Sequence, residues 1–244
     1  MSDYLPAETW VKSLLAKLDI ATDRLFICPG NHDVDRAYAE RRPRPMDAAE
    51  ADCVLKYPIE PYAHYTTEQF SAYTEFCARM AIPPFVIGNW ENYLIGARPL
   101  PGSDIRVICL NSAWFCKDIH DKDKLWLGLE LIKYLVGRNG LPDDGTFFDS
   151  PLAIALVHHP DDWLHEHERR SQQRARPSTV TYLTDRCHIL LTGHTHGDPT
   201  RPDTRGGRAV HFHGGATFKG AEHPNSFRLI RLEEEQFVYR VYQY

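Results

Sequence analysis

No run of 18 consecutive apolar residues occurs in the 244-residue chain, so a membrane-spanning helix is not expected. The opening residues, Met1-Ser2-Asp3-Tyr4-Leu5-Pro6, lack a basic stretch followed by an apolar one, which sets aside a secretory leader. None of the six cysteines (Cys28, Cys53, Cys77, Cys109, Cys116, Cys187) belongs to a Cys-x-x-Cys pair. Buried free thiols and a reducing, cytoplasmic setting are the reading of that pattern. A basic balance is missing as well. The formal charge is -5, and a general nucleic-acid binder needs a net basic surface. There is no Gly-x-Ser-x-Gly segment and no cysteine set beside a histidine motif, so a serine or cysteine nucleophile is not expected. Internal repeats and low-complexity stretches are absent.

What remains is an ordinary globular composition, 43% hydrophobic and 25% charged, long enough for one large domain over residues 1–244. Pro6 to Leu18 reads as a helix, with Trp10, Leu14, Leu15 and Leu18 at helical spacing. Arg24 to Cys28 reads as a short buried strand that Pro29-Gly30 ends in a loop. Residues 34–100 read as an insertion covering one side of a site, with a helix over Thr67 to Met80 and strand within Phe85 to Ile95. Further on, Asp104 to Asn111, Pro151 to Val157, Cys187 to Leu191 and Ala209 to Phe212 read as strands. Leu125 to Val136 and Thr179 to Asp185 read as helices. Ser226 to Leu232 and Phe237 to Tyr242 make a hairpin. Strands alternating with helices, then strands alone, predict an α/β sandwich of layered sheets.

Three short segments carry the chemistry: Gly30-Asn31-His32-Asp33, Val157-His158-His159-Pro160 and Gly193-His194-Thr195-His196. Each follows an apolar strand-like run, and carboxyl ends of strands are where open α/β sheets place their sites. Imidazole nitrogen and amide oxygen suit borderline divalent ions such as Mn, Fe or Zn. Alone, each segment could be a turn or a surface loop, since Asn and Asp favour turns. Together they predict a metal-centred site. Asn31 would give its carbonyl oxygen to a metal while His32 faces the substrate, and His194 and His196 could reach two adjacent ions. Two ions can hold the attacking and leaving oxygens of an in-line phosphoryl displacement. The arginines after the first two segments (Arg36, Arg41, Arg42, Arg44; Arg169, Arg170, Arg174, Arg176) read mainly as solvated charges and secondarily as phosphate grips.

In these three segments, over about residues 8–215, the chain resembles the calcineurin-like metallophosphoesterases. The resemblance implies that Asn31, His158 and His194 bind one metal and His196 the other. It implies that His32 protonates or steadies the leaving oxygen, and that Asp33 is a supporting carboxylate able to orient His32. His159 reads as a pocket wall. Two divalent ions and a phosphoester substrate are then expected, with no membrane partner. The family's opening Asp-x-His and Gly-Asp motifs, the second carrying the aspartate that bridges both metals, do not occur between Met1 and Pro29. The sandwich would lack its first strand-helix-strand portion and expose an apolar edge. Three readings follow: a fragment or late start of an ordinary phosphoesterase, a shortened protein with one weakly held metal, or a non-enzymatic remnant. The first is preferred because the surviving segments are intact. From another class, the alternative is a binding or scaffold module with a structural metal. A closed structural zinc site usually has four protein ligands, often cysteine, and the Asn/His set here favours an open one.

Overall fold

The computed structural model describes residues 4–58, 68–138, 141–142, 151–170, 176–195, 202, 208–215, 226–233 and 237–243. Short apolar runs become the centre of one mixed sheet. Arg106–Leu110 (β4), Ala153–Val157 (β5), Ile189–Thr192 (β6) and Val210–His213 (β7) are parallel neighbours. Parallel strands covered on both faces need near-continuous hydrophobicity, and Val107 to Leu110 are all buried. Phe85–Ile87 (β1), Trp90–Asn92 (β2) and Gly96–Pro99 (β3) extend the sheet antiparallel, giving the order β2-β1-β3-β4-β5-β6-β7. Residues 34–100 thus supply three strands of the same sheet. Ser226–Leu232 (β8) and Phe237–Gln243 (β9) pair as a separate hairpin, which meets the main sheet where Phe212 packs edge-on against Tyr239, 5.8 Å between ring centres. The class is α/β, as the alternating pattern predicts.

Helices cover the sheet. Tyr4–Leu18 (α1) matches the predicted first helix, and Tyr4 stacks on Phe76 of Ser71–Arg79 (α4), ring centres 5.2 Å apart. Between them lie the short helices Arg36–Ala39 (α2) and Ala48–Val54 (α3). Leu129–Gly137 (α5) buries Leu129, Leu131, Ile132 and Leu135. Glu166–Arg169 (α6) and Thr179–Thr184 (α7) fill the β5–β6 crossover, with Ser178 capping α7 by accepting from the Thr181 amide. On α1, Leu5, Trp10, Leu14 and Leu18 remain 38–60% exposed, so that helix keeps an apolar stripe facing outward.

Two expected elements differ. Leu25 to Cys28 joins no strand ladder among the described residues and packs against side chains of the sheet instead. It keeps a strand's alternation: Phe26 and Cys28 pack with Phe85, Val107 and Cys109, while Leu25 and Ile27 join the larger core. Arg98 holds it from below, donating to the carbonyls of Asp23 and Leu25, with its guanidinium 3.6 Å from the Phe26 ring centre. The helix expected from Leu125 starts only at Leu129. Leu125 bridges to Leu164, and Gly128 turns with φ +89°, where a Cβ would lie 2.6 Å from Leu55 Cβ. That left-handed turn separates a buried extended stretch from the helix.

Under α7, Glu168 is fully buried, and its nearest cation is Arg176, Nη2 3.7 Å from Oε1. Arg176 itself is committed to Asp52 through two 2.8 Å bonds. Burial lifts the Glu168 carboxyl to about 7, against the opposing pull of Thr179 and Arg176. The folded state therefore holds this proton more tightly than the unfolded chain does. Stability from this group is complete below pH 4.5 and is lost as pH rises through about 7, at most about 3 kcal/mol. Urea denaturation of wild type and Glu168→Gln at pH 5 and pH 8 tests this. The variant should lose less stability than wild type over that interval, and equal losses in the two proteins would show that Glu168 does not carry the effect.

Candidate metal centre

Asn31 is delivered by a braced loop. After Pro29-Gly30 the chain makes one turn of 3-10 helix, Asn31–Asp33. The Asp33 carboxylate fastens that turn from both sides: Oδ2 accepts from the Gly30 amide at 2.7 Å and Oδ1 from the Tyr4 hydroxyl at 2.5 Å. Burial raises the Asp33 pKa, and those two hydrogen bonds oppose the rise. Gly30 matters by what it lacks. A Cβ there would lie 2.7 Å from His158 Nδ1 and 2.8 Å from Cε1, closer than any side chain can sit. The backbone of the first segment thus lies directly on the imidazole of the second.

His158 and His194 come from adjacent parallel strands. β5 ends at Val157 and β6 at Thr192, so both histidines leave the carboxyl edge of the sheet. The Gly193 amide donates to the His158 carbonyl at 3.0 Å, locking one loop to the other. His194 has φ +67°, and the Thr195 amide donates to the Gly193 carbonyl at 2.8 Å across it. This is a three-residue γ-turn of the strained, left-handed kind. Strained backbone at a non-glycine residue persists where its surroundings over-determine it, and such residues cluster at functional sites.

The outcome is a compact donor set. His158 Nε2 is 3.0 Å from Asn31 Oδ1 and 3.1 Å from His194 Nδ1. Ligand atoms bound at 2.0–2.1 Å to one ion are separated by roughly 2.8–3.4 Å for angles of 90–110°. An amide oxygen and two imidazole nitrogens at these spacings fit one borderline divalent cation. Without a cation, the same distances allow a proton on His158 Nε2 to be shared between Asn31 Oδ1 and His194 Nδ1.

His159 lies beside this set, its ring centre 4.7 Å from that of His158 and 4.4 Å from that of His194. Together the three form a compact histidine cluster. Yet both His159 nitrogens face other groups, Nδ1 at 2.8 Å from Ser112 Oγ and Nε2 at 3.9 Å from Cys116 Sγ. Burial first, then the neighbouring imidazoles, push its pKa down to about 2, so it stands as a neutral wall. Trp163 meets the His194 ring edge-to-face at 4.0 Å. His213, at the end of β7, contacts Thr192 Oγ1 through Nδ1 at 2.8 Å. Ser112, Trp163 and His213 carry no local sequence signal for the site, although His213 ends a strand of the same sheet that His158 follows. His32 is exposed on the turn beside Asn31. His196 lies outside the described residues. Arg44, Arg169 and Arg176 are paired with Asp121, Asp123 and Asp52, respectively, which is structural use of charge.

No protein-family model matches the chain, and no curated protein matches it. Among solved structures it is similar to one described as "Termus thermophilus Sulfate thiohydrolase SoxB in complex with glycerol", at 12% identity and a TM-score of 0.38. That similarity covers 73% of this chain but 31% of the other. A likeness so loose carries no chemistry across.

Gly30→Ala tests the close approach. Displacing the His158 ring should weaken Zn²⁺ binding at least about tenfold while the fold survives, since overpacking of this kind costs roughly 1–3 kcal/mol. Competition against a chromophoric chelator, with a thermal melt as control, reads both. Unchanged affinity would mean that the His158 ring position is immaterial to the metal.

Proposed function

We propose that the chain is a metal-dependent phosphoester hydrolase of the calcineurin-like metallophosphoesterase kind. The observation that supports this most is the mutual approach of Asn31, His158 and His194, at 3.0 and 3.1 Å, from segments more than 30 residues apart in sequence. Asn31 Oδ1, His158 Nε2 and His194 Nδ1 would hold one divalent ion, and His196 would serve a second. What a bound cation supplies is polarisation of a phosphoester oxygen and a more acidic water.

The chain's own residues do the rest. His32, exposed beside Asn31 and outside the donor set, is assigned to give a proton to the leaving oxygen. Asp33 keeps the turn that carries both residues in shape, through Gly30 and Tyr4, and is assigned a supporting role. His159, held neutral against Ser112, closes one side without competing for protons. Phosphodiester and phosphomonoester substrates both suit this arrangement. The second reading is a non-catalytic or single-metal module. It is favoured by the shared-proton geometry, which forms the same contacts without an ion.

Elemental analysis and turnover of bis(p-nitrophenyl) phosphate and p-nitrophenyl phosphate with added Mn²⁺ separate the two. Hydrolysis that rises with bound metal is expected. One tightly held zinc per chain with no turnover of either ester would favour the module. Within the hydrolase reading, His32→Ala should lower turnover by roughly 10²–10⁴-fold, the usual worth of general acid catalysis, with metal content near that of wild type. Loss of metal in proportion to activity would make His32 a ligand and overturn its assignment.

A further inference from the structure

A cavity of about 590 Å³ lies at the end of the parallel strands opposite the histidine cluster. Arg106, at the start of β4, lies beside Ala153, at the start of β5, whereas Leu110 lies beside Val157, just before His158. The four residue steps between these ends span about 13 Å, so this cavity and the histidine cluster are separate places. Its floor is the edge half of the sheet, and its walls are the last turn of α5, Tyr57 and the β1–β2 turn.

The lining is assembled with care for polar groups. Tyr57 and Tyr134 stack with ring centres 4.2 Å apart. Their hydroxyls converge on Gly88, which has φ +60°. A Cβ there would lie 2.4 Å from the Tyr57 oxygen and 2.8 Å from the Tyr134 oxygen. The Tyr57 hydroxyl also bonds the Asn89 side chain and accepts from the Asn89 amide at 3.2 Å. Two arginines line the same space, Arg106 and Arg138, the latter 5.6 Å from the Tyr134 ring centre. Elsewhere the arginines Arg44, Arg169 and Arg176 each have a carboxylate. Among the described residues neither Arg106 nor Arg138 has one, and no acidic residue is among the described lining. In a chain of net charge -5, two guanidiniums facing one cavity without a carboxylate call for an anion from outside.

From this geometry we propose that the cavity binds a small organic phosphate monoester, its dianionic head taken by Arg106 and Arg138 and its organic part set against Tyr57 and Tyr134. Planar guanidinium forks suit phosphate oxygens two at a time. The volume exceeds what bare phosphate needs and falls within the roughly 300–1,000 Å³ of small-molecule sites. The Tyr134 hydroxyl and the side-chain nitrogen of Asn89, whose oxygen the Tyr57 hydroxyl holds, offer further donors. This binding site stands whether or not the histidine cluster hydrolyses anything.

Calorimetric titration of the full chain with phenyl phosphate, in excess chelator so that no metal-held phosphate contributes, tests it. One saturable site is expected, with inorganic phosphate competing for it and uncharged benzyl alcohol failing to bind. The double variant Arg106→Gln/Arg138→Gln should raise Kd at least about tenfold, as loss of charge-assisted hydrogen bonds does. Tyr57→Phe, a milder change that keeps the stacked ring, should raise it severalfold; circular dichroism confirms that each variant is folded. Absence of saturable binding, equal binding of benzyl alcohol, or an unchanged Kd in folded double variant would each overturn the proposal.

Discussion

The contact between the Gly30 backbone and the His158 imidazole is the constraint on which the candidate metal centre depends. One segment comes from a loop near the start of the chain and the other from the end of a central strand, 128 residues later in numbering. They can share a ligand atom's neighbourhood only because no side chain intervenes. Everything that steadies the loop serves that approach. Asp33 clasps the turn through the Gly30 amide, and Tyr4 ties the same carboxylate to the first helix. A hydrogen bond from Gly193 to the His158 carbonyl then sets the third segment in register.

The sheet supplies the rest of the precision. Parallel strands deliver their following residues to one edge, so β5 and β6 bring His158 and His194 together as a consequence of pairing. The sharp γ-turn at His194 aims Nδ1 inward at the expense of backbone strain. Ser112, after β4, and His213, at the end of β7, come from the same edge, the first holding His159 and the second contacting Thr192. The opposite edge carries the arginine-lined cavity, so the two ends of one sheet have distinct chemistry: imidazole and amide donors at one, guanidinium groups at the other.

Most of the fold was legible because the core strands are short unbroken apolar runs. Val107 to Leu110 and Ala153 to Val157 admit few other readings at that length and flanking. The site was legible in its residue types, since histidines directly after such runs must emerge at a strand end. Other features were not legible for physical reasons. Leu25 to Cys28 has strand alternation but joins no ladder among the described residues, and pairing depends on sheet order, which local pattern does not encode. The late start of the helix after Leu125 is not legible locally, because Gly128 is tolerable inside a helix and only its contact with Leu55 forces the turn. Arg106 and Arg138 are separated by a strand, a loop and a helix, so their common cavity is visible only in three dimensions.

X-ray absorption at the metal edge of the chain loaded with one equivalent of zinc tests the central claim most directly. The account predicts two imidazole nitrogens and at least one oxygen at about 2.0–2.2 Å, with the imidazole scattering halved in His158→Ala or His194→Ala. A spectrum without imidazole scattering, or one unaltered by either substitution, would contradict it.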